Sequence, residues 1–160
     1  MNGNPKAVTG LIIAAAVSLL GISSAMAQGK IQPDPAQSCG KPHVLCFETP
    51  KDEVARAEFL SETFYAIILK TAARCSIPET DRVDVQRVFP RHKVFSMRFQ
   101  CDDDVEENVS YTNVNEAYGF IAVYAGRTSK EAKARLMEVK ATARFPGANI
   151  RKMQVRIVSS

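Results

Sequence analysis

The chain has 160 residues, 46% of them hydrophobic and 24% charged, with a formal net charge of +4. A chain of this size is one domain with a modest core. The mild basic bias allows weak attraction to an acidic polymer or surface but lacks the clustered basic signature of a nucleic-acid binder. His43 and His92 are the two histidines, too few for a histidine-rich metal site.

Residues 1–27 carry a single charge, Lys6, then an apolar run from Val8 through Leu20 and a small-x-small end at Ala25-Met26-Ala27. This is the pattern of a secretory signal peptide cleaved after Ala27. An uncleaved anchor is the alternative, because about 18 apolar residues can span a bilayer; the Ala-x-Ala end and the polar Gln28 favour cleavage. Cys39 stands too far past the apolar run to be a lipid-modified first residue. Cleavage removes Lys6 and leaves a chain of about 130 residues, expected to be periplasmic or secreted and without a stable membrane span. Export excludes cytosolic tasks such as nucleotide metabolism or RNA binding.

Residues 28–42 hold Gly29, Pro33, Pro35, Gly40 and Pro42 and are expected to be a linker, with a single domain over 43–160. His43 to Phe47 (HVLCF) reads as a short strand. Thr49 as N-cap, Pro50 at the first position and Asp52 and Glu53 in the first turn open a helix. An apolar stripe through Val54, Ala57, Leu60, Phe64, Ile67 and Thr71 carries it to about Arg74. A turn at Pro78–Asp81 leads into two alternating runs, Arg82–Phe89 and Lys93–Cys101, which read as a hairpin around Pro90-Arg91. Asp102 to Asn115 is an acidic loop. Tyr118–Ala125 (YGFIAVYA) is a strand closed by Gly126. Thr128 or Ser129 caps a second helix reaching about Thr142, and Asn149–Val158 is the last strand.

Cys39, Cys46, Cys75 and Cys101 form an even set in an exported chain, so two disulfides are expected. A zinc site would call for paired short spacings such as Cys-x-x-Cys, which do not occur. Three connectivities are possible. The returning strand of the expected hairpin brings Cys101 back toward Cys75, which favours Cys75–Cys101 with Cys39–Cys46.

The two expected strand–helix units share a pattern: Thr49-Pro-Lys-Asp-Glu-Val-Ala-Arg56 and Thr128-Ser-Lys-Glu-Ala-Lys-Ala-Arg135 both fit Thr-x-Lys-acid-x-x-Ala-Arg. Two βαβ halves joined by a hairpin predict an α+β fold, a split βαβ (ferredoxin-like) antiparallel sheet with both helices on one face. The stretch Tyr118 to Leu136 (YGFIAVYAGRTSKEAKARL), with Ile150-Arg-Lys-Met-Gln-Val155 after a break, resembles a SPOR (sporulation-related) repeat. Tyr118, Val123, Gly126, Ser129, Glu131, Ala132 and Leu136 occupy matching places. The family's strand usually carries a glutamine before its glycine, where this chain has Ala122, Val123, Tyr124 and Ala125. The resemblance implies a module that binds bacterial cell-wall glycan, especially strands stripped of stem peptides.

Alternation along the strands places Ile121, Val123, Phe95, Met97, Phe99, Val83, Val85, Met153, Val155 and Ile157 toward the helices. The opposite face is then open, and Tyr124, Phe120, Arg98, Gln100, Gln154 and Arg156 are the candidate glycan-binding residues: rings for sugar C–H faces, amides and guanidinium groups for oxygens. Arg82, Gln86 and Lys152 share that expected face. Asp102, Asp103, Asp104, Glu106 and Glu107 have oxygen ligands for calcium but lack EF-hand spacing and read as a solvated loop. Asn108-Val109-Ser110 fits a glycosylation acceptor. Neither histidine has an evident nucleophile or carboxylate partner, and no hydrolase, zincin or phosphate-loop motif occurs. The expectation is therefore a binding module that is not an enzyme, without cofactor or metal, whose partner is peptidoglycan or another envelope component rather than nucleic acid. The alternative is a disulfide-stabilised protein–protein or inhibitor module.

Overall fold

A computed structural model describes residues 33–34, 42–47, 58–98, 101 and 109–158. The expected signal peptide, most of the linker, Cys39, Gln100 and the acidic run 102–107 lie outside the described residues. The elements are β1 (Glu58–Leu60), β2 (Phe64–Ala73), α1 (Glu79–Val88), β3 (Val94–Met97), β4 (Val109–Tyr111), β5 (Tyr118–Tyr124), α2 (Ser129–Ala141), β6 (Asn149–Met153) and β7 (Val155–Val158).

The fold is α+β. Four strands form an antiparallel sheet in the order β3-β5-β2-β6. The units β2-α1-β3 and β5-α2-β6 therefore interleave as a split βαβ arrangement. Both helices lie on one face, where Val85, Ala132 and Val139 pack with Ile67, Val94, Ile121 and Val123.

The first half reaches this topology through different residues from those expected. The expected helix 50–74 is overturned over its described part: residues 58–60 and 64–73 are strands. Phe64 and Ala66 pack on one face of β2, Ile67 and Leu69 on the other. A strand buried on both sides reads as a continuous apolar run, which periodicity alone does not separate from a buried helix. A register irregularity between Ile68 and Lys70 adds to the helix-like spacing. The expected strand 82–89 is helix α1. Its buried residues Arg82 and Val85, with Phe89 beyond its end, recur at three- and four-residue steps, and this outweighs the chance alternation of Val83 and Val85. Arg82 is buried rather than outward; its Nε donates to Glu79 Oε1 at 2.7 Å. The Thr128–Arg135 stretch opens α2, whereas Thr49–Arg56, its supposed counterpart, lies outside the described residues.

The sheet face expected to be open is largely covered. Residues 149–158 are two strands rather than one, and β7 leaves the first sheet to sit at the centre of a second, ordered β1-β7-β4. That sheet covers the face away from the helices. Phe64, Phe95, Met97, Phe120, Met153, Val155, Ile157 and Tyr111 make one buried cluster between the sheets, with Phe95 and Phe120 in edge-to-face contact at 5.9 Å. Phe95, Met97, Met153, Val155 and Ile157 therefore face away from the helices, contrary to expectation, while Ile121 and Val123 do face them.

Two chain segments cross between sheets at one point. Ser61 N donates to Val155 O at 2.9 Å, and Ser61 Oγ accepts from Val155 N at 2.8 Å. Gln154 Nε2 donates to Ser61 O at 2.8 Å. Thr112 closes the other side, its N bonding Gln154 O and its Oγ1 accepting from Gln154 N at 2.9 Å. The β1–β7 and β2–β6 pairings differ in register by one residue across this crossing, so Ser61–Thr63 acts as a bulge that turns the ladder.

The HVLCF segment makes a single bridge, Phe47 with Pro33, instead of a strand. It lies along the outer edge of β3, where His43 O accepts from Ser96 N at 2.9 Å and Leu45 is buried. Covering an edge in this way removes a template for unwanted pairing. Cys75 and Cys101 are bonded, with Cα atoms 5.5 Å apart. Both β2 and β3 run antiparallel to β5, so both end beside the start of β5, and the bridge ties those ends together. Cys46 is also disulfide-bonded. Among the described residues no helix is long and apolar enough to cross a membrane.

Replacing Ser61 by Ala leaves the Val155 N–H buried without its acceptor and should cost about 1–3 kcal/mol, against about 0.5–1.5 for Gln154→Ala; urea unfolding measures both. Reducing the disulfides should lower the denaturation midpoint, the Cys75–Cys101 link contributing roughly 2–4 kcal/mol. A Cys75→Ala/Cys101→Ala variant as stable as the oxidised protein would contradict this.

Candidate functional site

The second sheet does not cover the whole face. Where β2, β5 and β6 run past it, a pocket of about 530 Å³ opens, lined by Ile68, Thr71, Asn113, Val114, Asn115, Tyr118, Phe120, Asn149 and Arg151. This volume falls in the range of small-molecule sites, about 300–1,000 Å³. Cross-strand pairing explains the floor. Ile68 sits opposite Asn149, Ala66 opposite Arg151, and Thr71 opposite Phe120. The alternation that buries Met153 therefore points Asn149 and Arg151 to the same face.

The wall is the segment between β4 and β5, held by its asparagines. Asn113 adopts a φ of 59°, a left-handed conformation that asparagine tolerates better than most residues. Its Nδ2 donates to Lys152 O at 3.0 Å. Asn115 Oδ1 accepts from Ala117 N at 3.0 Å, and Asn115 O accepts from Tyr118 N at 3.0 Å. Arg74 N bonds Ala117 O at 3.2 Å, joining the wall to the end of β2 just before Cys75. Asn149 Nδ2 donates to Gly147 O at 3.2 Å.

These bonds fix the remaining polarity of the pocket. The Oδ1 atoms of Asn113 and Asn149 are left to accept, and one N–H of each, with the Nδ2 of Asn115, is left to donate. Thr71 and Tyr118 add hydroxyl groups, and Tyr118 is half exposed. Among the described residues of the lining, Arg151 is the cation and none carries a carboxylate.

The residues expected to form a glycan face are not brought together. Phe120 is 2% exposed and belongs to the inter-sheet core, with its edge at the pocket. Tyr124 is on the same face at the other end of β5, stacked on Phe64 at 5.8 Å; burial raises its pKa, partly offset by a hydrogen bond with Arg127. Gln154 is committed to the sheet crossing. Arg156 is exposed on β7, between inward-facing Val155 and Ile157. Arg98 follows the end of β3, its carbonyl oxygen 3.4 Å from the disulfide-bonded Cys101 Sγ. Gln100 lies outside the described residues.

Sequence reading missed Asn113, Asn115, Asn149 and Arg151. A usable signal was present for two of them: Asn149 and Arg151 share the parity of Met153, so a polar pair stood at positions that alternation assigned to a core. The asparagine wall had no comparable signal, because its role comes from backbone bonds to distant strands.

A second polar cluster lies on the helix side. His92 Nε2 approaches Glu138 Oε2 at 3.2 Å and the Arg135 guanidinium, joining the turn before β3 to α2. Burial, then Arg135, lowers the His92 pKa against the opposing pull of Glu138. At the start of α2, Thr128 and Glu131 form a reciprocal capping box; the hydrogen bonds from Thr128 hold the Glu131 carboxyl below its ordinary value. Gly126, with a φ of 94°, lets the backbone pass close to Glu131, whose atoms a Cβ would meet at 2.7–2.8 Å. Gly126, Glu131 and buried Ala132 thus have roles in capping and packing.

No family model, curated protein or solved structure matches the chain.

The division of the expected face gives a direct check. Phe120→Ala should destabilise by about 3–5 kcal/mol, and Arg156→Ala by well under half of that, as read by thermal or urea unfolding. Equal losses would contradict the placement of Phe120 between the sheets.

Proposed function

We propose that the protein is an exported, non-enzymatic binding module that contacts the glycan strands of peptidoglycan at the uncovered end of its four-stranded sheet. The pocket carries this reading. It combines the phenol ring of Tyr118, an edge of Phe120, three asparagine amides, a threonine hydroxyl and one guanidinium. Such groups bind and orient a sugar: rings pack on C–H faces, while amides and hydroxyls match ring hydroxyl and N-acetyl oxygens.

Two further observations support it. Tyr118, Phe120 and Arg151 lie in the segments that resemble a SPOR repeat, so the resemblance and the pocket overlap. The apolar leader ending in Ala-Met-Ala and the bonded cysteines favour the periplasm or the outside of the cell over a reducing compartment.

Incubation of the oxidised protein with purified sacculi, before and after amidase treatment, tests the proposal. The protein should be retained, and Tyr118→Ala together with Arg151→Ala should reduce retention without a loss of stability. Arg156→Ala should leave retention unchanged. Absence of retention on both sacculus preparations would reject the proposal.

A further inference from the structure

We infer that the pocket is a subsite for an acidic sugar, with Arg151 taking a single carboxylate while the asparagine amides read the neutral groups beside it. The inference rests on the glycan reading for the setting of the ligand, and on the pocket for its chemistry.

Charge sets the first limit. Among the described residues of the lining, Arg151 is the cation and no acidic residue offsets it. None of the ion pairs among the described residues involves it. A guanidinium presents its donors as a planar fork that matches a carboxylate through two parallel bonds. One cation balances one negative charge, which suits a carboxylate better than a phosphate dianion.

Hydrogen-bond polarity sets the second. Asn113 and Asn149 each use one Nδ2 N–H on Lys152 O and Gly147 O, so each offers the ligand its Oδ1 as an acceptor beside a second N–H. A simple anion, which has only acceptors of its own, leaves those two Oδ1 atoms without a partner. They call for ligand donors. Asn115, whose Oδ1 is occupied by Ala117 N, offers the complementary donor, suited to an amide or carbonyl oxygen. A ligand with one carboxylate, several hydroxyls and an amide carbonyl satisfies all of these at once. A sugar ring bearing an N-acetyl group and a carboxylate substituent has that set, and its C–H face suits the half-exposed Tyr118 ring.

The wall that carries two of the three asparagines is preset. Its bonds to Lys152, Arg74 and Gln154 backbone atoms hold the amides in place before a ligand arrives, which reduces the ordering cost of binding.

The test is an amide-shift NMR titration of the oxidised protein with N-acetylmuramic acid, N-acetylglucosamine and acetate as separate probes. N-acetylmuramic acid should give saturable shifts at Thr71, Asn113 to Tyr118 and Asn149 to Arg151. It should bind about tenfold more tightly than the neutral sugar, equivalent to roughly 1.4 kcal/mol, and acetate should not saturate. Arg151→Gln should abolish the preference for the acidic sugar, Arg151→Lys should keep part of it, and Arg156→Gln should keep all of it. Equal affinity for the two sugars, shifts elsewhere on the molecule, or an unchanged preference in Arg151→Gln would overturn the inference. Sacculus retention without these pocket shifts would reject the subsite and leave the glycan reading standing. Pocket binding of N-acetylmuramic acid without sacculus retention would reject peptidoglycan as the partner and leave the subsite standing.

Discussion

The structure depends on the crossing at Ser61 and Gln154. Two antiparallel segments there leave one sheet and enter another together, so each needs its backbone groups satisfied at the moment neither sheet can supply all of them. Ser61 exchanges both main-chain and hydroxyl bonds with Val155, Gln154 reaches back to the Ser61 carbonyl, and Thr112 completes the set from β4. Buried polar groups without partners are costly. Here the side chains of a serine, a glutamine and a threonine take over from the ladder. Without that substitution β7 would extend the first sheet, and the aromatic cluster of Phe64, Phe95, Tyr111 and Phe120 would lack its cover.

That cover produces the pocket. The three-stranded sheet packs over the Phe64 and Met153 end of the larger sheet and stops short of Asn149, Thr71 and Tyr118. The segment leaving β4 must then travel back to the start of β5, and its route along the uncovered end builds the asparagine wall. The same wall is anchored to Arg74, next to the Cys75–Cys101 link that ties the ends of β2 and β3. Fold, disulfide and pocket thus share one end of the molecule.

Helix α2 and the turn before it show a different economy. Thr128 and Glu131 satisfy the first helical N–H groups between themselves, and Gly126 supplies the positive φ that brings the chain past the Glu131 side chain. The opposite face of the sheet is then fixed by small and branched residues, Ala132 and Val139 against Ile121 and Val123. The His92, Arg135 and Glu138 group holds the turn before β3 to this helix, on the side of the sheet away from the pocket.

Strand β5 and helix α2 were legible from the sequence because their signals are local. A capping box and a short apolar run, YGFIAVYA, closed by a glycine need no distant partner, and β5 and α2 stand within a residue or two of their expected bounds. The first half was not legible in the same way. FYAIILKTAA is apolar on both faces because two layers cover it, and a run of that kind carries no period of its own. Arg82, Val85 and Phe89 have a helical period that the alternation of Val83 and Val85 masks. The split βαβ class could be reached from the sequence because two strand–helix–strand units of this length have few ways to share a sheet. The Cys75–Cys101 pair was also reached, although the reason is the parallel ends of β2 and β3 rather than a hairpin. Which face stays open could not be read, since alternation assigns residues to two faces and says nothing of what lies over either. Arg151 and Asn149 became site residues, and Gln154 a structural one, only when β7 changed sheets: hydrogen-bond demand at that crossing is set by three segments far apart in sequence, and no local pattern contains it.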